Sequence, residues 1–273
     1  MNLKLLLLNC LFFISFTAVA QRQVDLAEVY LDSIMEKVAS MYTSKGQLYA
    51  DTACAMIPKS ATVLQNRAVP FLKNGDFGTW IPYIDKAAAL NPKKYIDYRA
   101  FCKAIFMKDY EGAISDLNAA QVYHPNEMAF VMDHSYEFYK SICYLELGRL
   151  DSAKILMEKS IDWQLKNKGL EWTHYVDLFY LGVIHWELKN IDKAQYYLDL
   201  SLKKYPQFPD AHYYKALILN HLGRKGEAIE HLITIEPNLK KGFRMNEDNE
   251  IYSNYPHQIG IGEIADLKAI LMQ

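Results

Sequence analysis

The chain has 273 residues, with 30 basic against 32 acidic side chains and a formal charge of -2. A hydrophobic share of 51% with 23% charged residues excludes disordered, collagen-like and low-complexity classes, and the even charge balance argues against the broad basic face that a nucleic-acid backbone requires. Gly at 12 and Pro at 9 are scarce for this length, which favours helices over a turn-rich β fold.

At the N-terminus, Lys4 precedes an apolar stretch from Leu5 to Ala20, broken by Asn9, Ser15 and Thr17 and ending in Ala18-Val19-Ala20 before Gln21. A charged start, an apolar centre and a small-residue exit read as a secretory signal peptide cleaved after Ala20; its 16 residues fall short of the roughly 20 that a spanning helix needs. A lipid anchor would use Cys10, which fits poorly because Asn9 precedes it and Leu11, Phe12, Phe13 and Ile14 follow it. The expected mature protein is exported, periplasmic or secreted, and has no stable membrane span. It retains Cys54, Cys102 and Cys143, an odd number without CxxC spacing, which predicts buried thiols and leaves their pairing open.

From Val24 to Tyr42, Leu26, Tyr30, Ile34, Val38 and Met41 recur at helical spacing and predict a helix within an N-terminal capping segment, residues 21–60. Beyond it a unit recurs. A Gly or Lys turn is followed two residues later by an aliphatic or aromatic residue and three further on by Ala, then by an amphipathic stretch. The clearest copies are Gly148 to Ala153 and Gly223 to Ala228, the latter with Lys225 at the middle position; Lys108 to Ala113 and Lys189 to Ala194 lack the Gly, and in a copy opening at Gly75 the Ala position holds Trp80. Positions 80, 113, 153, 194 and 228 are spaced by 33, 40, 41 and 34 residues. These residues resemble the tetratricopeptide repeat, whose period is about 34, over residues 61–238.

The resemblance implies a helix pair per repeat, crossing closely where side chains are small. The eighth repeat position falls on Ala68, Phe101, Ser141, Gly182 and Ala216, and the twenty-seventh on Ala87, Ala120, Ser160, Ser201 and Ile235. Pro92, Pro125 and Pro206 close three repeats, whereas Leu165 replaces one expected Pro and Pro237 comes early, predicting irregular exits. The extra residues near Asn126 to His134 and Trp163 to Trp172 read as helix extensions, with surface loops as the alternative. Lys240 to Ile259 reads as an ordered loop and Glu263 to Met272 as a closing helix. The resulting expectation is an all-α, right-handed α-α superhelix (solenoid) of about five helix pairs, residues 61–238, with capping helices at both ends and a C-terminal segment over 239–273.

Residues that could carry chemistry are few. None of the eight histidines forms a His-x-x-x-His or HExxH pair; His134 with Glu137 and Glu227 with His231 share helical spacing and read as solvated polar pairs. Asn246 to Glu250 is oxygen-rich but lacks the Gly and alternation of a calcium loop, so it reads as solvated. Gly260-Ile261-Gly262 has no room after it for a dinucleotide-binding unit. No metal, cofactor or catalytic residue is expected.

In the resembled family the first helix of each pair lines a concave groove. At its fifth position stand Tyr98, Phe138, Phe179 and Tyr213, and near its twelfth Phe106, Glu146, Trp186, Glu187, Asn220 and His221. Tyr98, Phe106, Phe138, Phe179, Trp186, Glu187 and Tyr213 are therefore the candidate partner-binding residues, an aromatic ladder edged by carboxylates that suits an extended peptide with apolar and basic side chains. The fifth-position aromatics could equally pack against the next repeat. The Lys/Asn clamp with which chaperone-tail-binding members hold a carboxylate is absent. The functional expectation is a non-enzymatic scaffold that binds a protein or peptide through the groove. Its alternatives are an enzyme or metal protein with a site assembled across repeats, or a structural or toxin-neutralising subunit using another face.

Overall fold

The computed structural model describes Val29 and residues 40–125, 127–245, 247, 249 and 251–272. The expected signal segment and nearly all of the helix predicted over Val24 to Tyr42 lie outside the described residues. The chain forms two compact units that divide between Arg99 and Ala100.

The first unit contains α1 (Ser44–Met56), α2 (Ala61–Lys73), α3 (Phe77–Leu90) and most of α4 (Pro92–Cys102). Thr43, Ser60 and Asp76 start α1, α2 and α3 by accepting the free backbone N–H of Gly46, Val63 and Thr79, donors that a helix start leaves without intrahelical partners. Ala50 and Ala53 of α1, with Ile57 just after it, pack on Val63 of α2, so α1 covers the start of the first helix pair. Ala68, Ala87 and Trp80 are buried where α2 and α3 cross.

The second unit begins with the end of α4. The helix widens into a π turn over Lys103–Met107, and then come α5 (Tyr110–Ala120), α6 (Tyr136–Glu146), α7 (Leu150–Lys168), α8 (Tyr175–Glu187), α9 (Ile191–Lys204), α10 (Pro209–His221), α11 (Lys225–Lys240) and α12 (Ile261–Met272). Successive helices pack as antiparallel neighbours, α6 with α7, α8 with α9 and α10 with α11, and α12 closes the end against α10 and α11. Ala113, Ala153, Ala194 and Ala228 are fully buried, as are Ser141, Ser160, Ser201 and Ala216. Those serines also bond locally. Ser141 Oγ donates to the Ala153 carbonyl at 2.6 Å and Ser201 Oγ to the Tyr175 carbonyl at 2.8 Å, so each buried hydroxyl finds its partner within the helix pair or its neighbour.

The recurring Gly-or-Lys turn has a backbone cause. Gly148 and Gly223 have φ of +69° and +74°, and Lys108 and Lys189 adopt the same left-handed conformation at +58° and +62°. The chain must turn left-handed between the helices of a pair, which a side chain resists by roughly 1 kcal/mol, and two repeats accept that cost.

Two insertions behave differently. Residues near 126–134 do not extend a helix: Phe130–Val131 and His134–Ser135 form a short antiparallel hairpin, because the Gln121–Tyr123 turn and Pro125 end α5 and its exit. The second does lengthen a helix, since α7 runs through Leu165 to Lys168 before Gly169 breaks it at φ +84°. Pro237 lies inside α11.

A Cβ at Gly182 would meet Leu198 Cγ of α9 at 2.8 Å, whereas one at Gly226 in α11 would meet nothing within 4 Å. Gly182→Ala is therefore expected to destabilise the protein by about 1–3 kcal/mol through overpacking, and Gly226→Ala to be neutral or stabilising by up to about 1 kcal/mol. Urea unfolding curves for the two variants check this.

Candidate functional site

The polar residues assembled inside the second unit are ones that sequence spacing does not connect. Hairpin residue His134 is buried between two carboxylates: its Nδ1 lies 2.8 Å from Asp177 Oδ1 and its Nε2 3.1 Å from Glu247 Oε2. Asp177 sits in the first turn of α8 and also accepts from Gln164 Nε2 at 2.6 Å and Ser160 Oγ at 3.3 Å. Glu247 belongs to the segment after α11. His174, which caps α8, stands edge-on to His134 with ring centroids 4.8 Å apart, and its Nδ1 is 3.9 Å from Glu247 Oε1.

Burial alone would strip the proton from His134, but the charge and hydrogen bond of Asp177, joined by Glu247, raise its pKa to about 10. Burial likewise opposes the charged form of Asp177, and His134 more than compensates, holding that carboxyl below the usual range. His174 is held below its ordinary value by burial and then by the His134 charge. The cluster is an imidazolium bridging two carboxylates.

This arrangement corrects two readings. His134 does not pair with Glu137, which instead takes Lys159 at 2.7 Å, and Glu227 pairs with Arg224 while His231 faces His212 at 2.8 Å. Glu247 and Asn249 are both 7% exposed, so the oxygen-rich stretch is not a solvated loop at these residues; Asn246, Asp248 and Glu250 lie outside the described residues.

The segment from Phe243 to Ile259 runs against the first helices of four repeats. Ser253 Oγ donates to the Ile105 carbonyl at 2.8 Å, and Lys108 Nζ donates to the Asn254 carbonyl. Tyr180 of α8 donates its hydroxyl to the Pro256 carbonyl at 2.6 Å, and the Ile259 N–H donates to Asp210 of α10 at 2.7 Å. His257, at φ +59°, is held by both ring nitrogens, with Nδ1 2.6 Å from the Tyr214 hydroxyl and Nε2 3.1 Å from Glu146 Oε1. Glu146 is partly buried, which works against its charge, but bonds from His257 and Tyr110 and the nearby Lys108 keep its pKa below the ordinary value.

The sequence-derived candidates fall into two groups. Phe138 and Phe179 are 0% exposed: Phe138 stacks on His134 at 3.8 Å, and both meet Tyr180 edge-on, at 5.5 and 5.2 Å. Neither ring reaches solvent in this conformation, and Phe106 is nearly as enclosed, against Phe101. Tyr98, Trp186, Glu187 and Tyr213 are half-buried; Trp186 meets His221 edge-on, and Tyr213 packs on the cluster formed with α12. Cys102 and Cys143 are buried thiols, and Cys54 is free and half-buried. No helix among the described residues is long and apolar enough to cross a membrane.

Replacing His134 with Ala would leave two buried carboxylates without their shared cation, an expected loss of about 3–5 kcal/mol in urea unfolding. A loss below about 1 kcal/mol would show that the bridge is not what holds this region together.

Comparison with known proteins places these features. Two family models, each described as a tetratricopeptide repeat, match residues 140–167 and 178–207. No curated protein matches the sequence. Among solved structures, a chain of the APC/C hetero-tetramer Cut9-Hcn1 superposes with a TM-score of 0.62 at 14% identity over 92% of this chain and 46% of that one, so this chain spans about half its length. PilW, a type IV pilus biogenesis factor, gives 0.62 at 13% identity over 85% of this chain and 96% of its own. Pseudomonas aeruginosa pilF gives 0.58 at 16% identity over 93% and 98%. With the third and fourth repeats matched by family models and the all-helical fold shared by these structures, the chain is a tetratricopeptide-repeat protein.

Proposed function

We propose that this protein is an exported, non-enzymatic scaffold that binds a protein or peptide partner along the face lined by its first helices. Tetratricopeptide repeats are a protein-interaction fold, and one observation carries the finer reading: the chain's own segment 253–259 lies on that face, with its main chain gripped by array side chains. Lys108, Tyr180 and Asp210 bond the backbone groups of Asn254, Pro256 and Ile259. Side chains that grip backbone groups hold a peptide largely regardless of its sequence, which is what a groove that accepts partners requires.

The resident segment and a partner therefore compete. Tethered to α11 and α12, the segment has a high effective concentration on the face, and a partner must displace it or dock beside it on Trp186, Glu187 and Tyr213. Phe138 and Phe179 are fully enclosed, so their truncation tests stability, at roughly 3–5 kcal/mol each, more than binding. Export rests on the Lys4 and Leu5 to Ala20 pattern.

Weakening only the resident segment separates these ideas. Ser253→Ala with His257→Ala is expected to let a labelled peptide of residues 251–259 bind about tenfold or more tightly than to the unaltered chain by fluorescence anisotropy, and Glu146→Gln in that background to reverse the gain. A loosened chain that remains folded and takes up no peptide would contradict the binding-face reading. Intact-mass measurement of the protein recovered from its native host is expected to place the N-terminus at Gln21; an N-terminus at Met1 would contradict export by this segment.

A further inference from the structure

Among the described residues, His134, His174 and Asp177 each bring a ligand-capable atom within 4.8 Å of the others. Glu247 adds a carboxylate whose Oε2 is 3.1 Å from His134 Nε2 and whose Oε1 is 3.9 Å from His174 Nδ1, the atom that here accepts the long 3.4 Å bond from the Val176 N–H and that an ion on this side would take over. We propose that His134, His174 and Glu247 form a site for one divalent transition metal of the zinc class, with Asp177 positioning His134 from behind.

Three observations converge. Glu247 Oε1 is buried without a hydrogen-bond partner, on a side chain only 3% exposed, and it points toward His174; a buried, unpartnered carboxylate oxygen is costly unless a cation completes it. The 3.1 Å separation of His134 Nε2 and Glu247 Oε2 is close to the edge of about 3.3 Å between two ligands that each bind a tetrahedral zinc at about 2.0 Å. Asp177 Oδ1, at 2.8 Å, accepts the Nδ1 proton of His134 and frees Nε2 to ligate, the carboxylate–imidazole–metal relay that fixes the tautomer and orientation of a metal-bound histidine.

Charge agrees with the geometry. One imidazolium against two carboxylates leaves a negative excess in a closed space, and a divalent ion in place of the Nε2 proton neutralises it. His174 is about a third exposed, which gives the ion an entry path and leaves a coordination position for water or a partner's side chain. Two imidazoles with a carboxylate suit zinc, cobalt or nickel over calcium or magnesium. A bound ion would fasten Glu247, and with it the start of the segment on the first-helix face, to the third and fourth repeats. The site does not depend on the scaffold reading.

The test uses the untagged, chelator-treated chain and zinc chloride in isothermal titration calorimetry, with cobalt absorption as a second readout. The expected result is one ion per chain with a dissociation constant about micromolar or tighter and cobalt bands of low coordination number. Glu247→Gln, which keeps the side-chain shape, and His174→Ala, at a partly exposed position, are each expected to weaken binding about tenfold or more with helical circular dichroism unchanged, and Asp177→Asn to do so more mildly. His212→Ala, in the separate His212–His231 pair, is expected to change nothing. Absence of stoichiometric binding, or binding unaffected by both Glu247→Gln and His174→Ala, would overturn the assignment and leave the cluster as an ion bridge alone.

Discussion

The crossing of two helices within each repeat is the constraint from which the rest follows. Ala113, Ala153, Ala194 and Ala228 are each fully buried, and Gly182 is so close to Leu198 that even a methyl group would collide. Such crossings fix the spacing of the helices to within the thickness of a small side chain, and in the second unit that spacing places the first helices α6, α8 and α10 side by side. Ser160 shows how fold and site share atoms. It occupies a small-residue position and its hydroxyl also bonds Asp177, so the repeat geometry delivers a polar group to the buried cluster.

What lies on the first-helix face changes how its aromatics are understood. Phe138, Phe179 and Tyr180 pack edge-on as a buried layer, and the segment after α11 meets it where the Tyr180 hydroxyl bonds the Pro256 carbonyl, while Lys108 and Asp210 bond its main chain at Asn254 and Ile259. The segment leaves α11, meets His134 at Glu247, reaches the first helix of the second repeat at Ser253 and returns to α10 at Ile259 before α12 caps the array. Apolar surface that would otherwise face water is thereby covered within the chain, which gives the face an occupant in the absence of any partner.

Much of the fold was legible because its signals are local and periodic. The Gly-or-Lys turn, the buried Ala and the small eighth and twenty-seventh positions recur in the sequence and occupy equivalent places in the structure, and the positive φ shared by Gly148, Gly223, Lys108 and Lys189 explains why Gly suits that turn and why Lys stands there only at a cost. Helix α1 falls inside the expected capping segment, but its bounds were not legible, because its buried positions are Gly46, Ala50 and Ala53, too small to stand out as an apolar stripe. The hairpin at 130–135 hid for a different reason: two-residue strands carry no measurable alternation. The ionic cluster was invisible for a third. His134, Asp177 and Glu247 are separated by 43 and by 70 positions, and only the fold brings them together. A low-periodicity tail rich in Tyr, Asn and His was the available hint, since aromatic and polar residues without helical spacing need tertiary partners to be ordered.

Residues 251–259 are held against the second unit by bonds at Ser253, Asn254, Pro256 and Ile259. Their backbone N–H groups have named acceptors: Tyr252 and Ser253 on the Asn249 carbonyl, Tyr255 on the Gln258 side chain, Gln258 on the Tyr255 carbonyl and Ile259 on Asp210. Native-state hydrogen exchange read at these amides is the most direct measurement. Protection within about tenfold of that in α8, falling together at all five positions when His257 is replaced, is the result this structure requires. Exchange at unstructured-chain rates across 251–259 while α8 stays protected would contradict it.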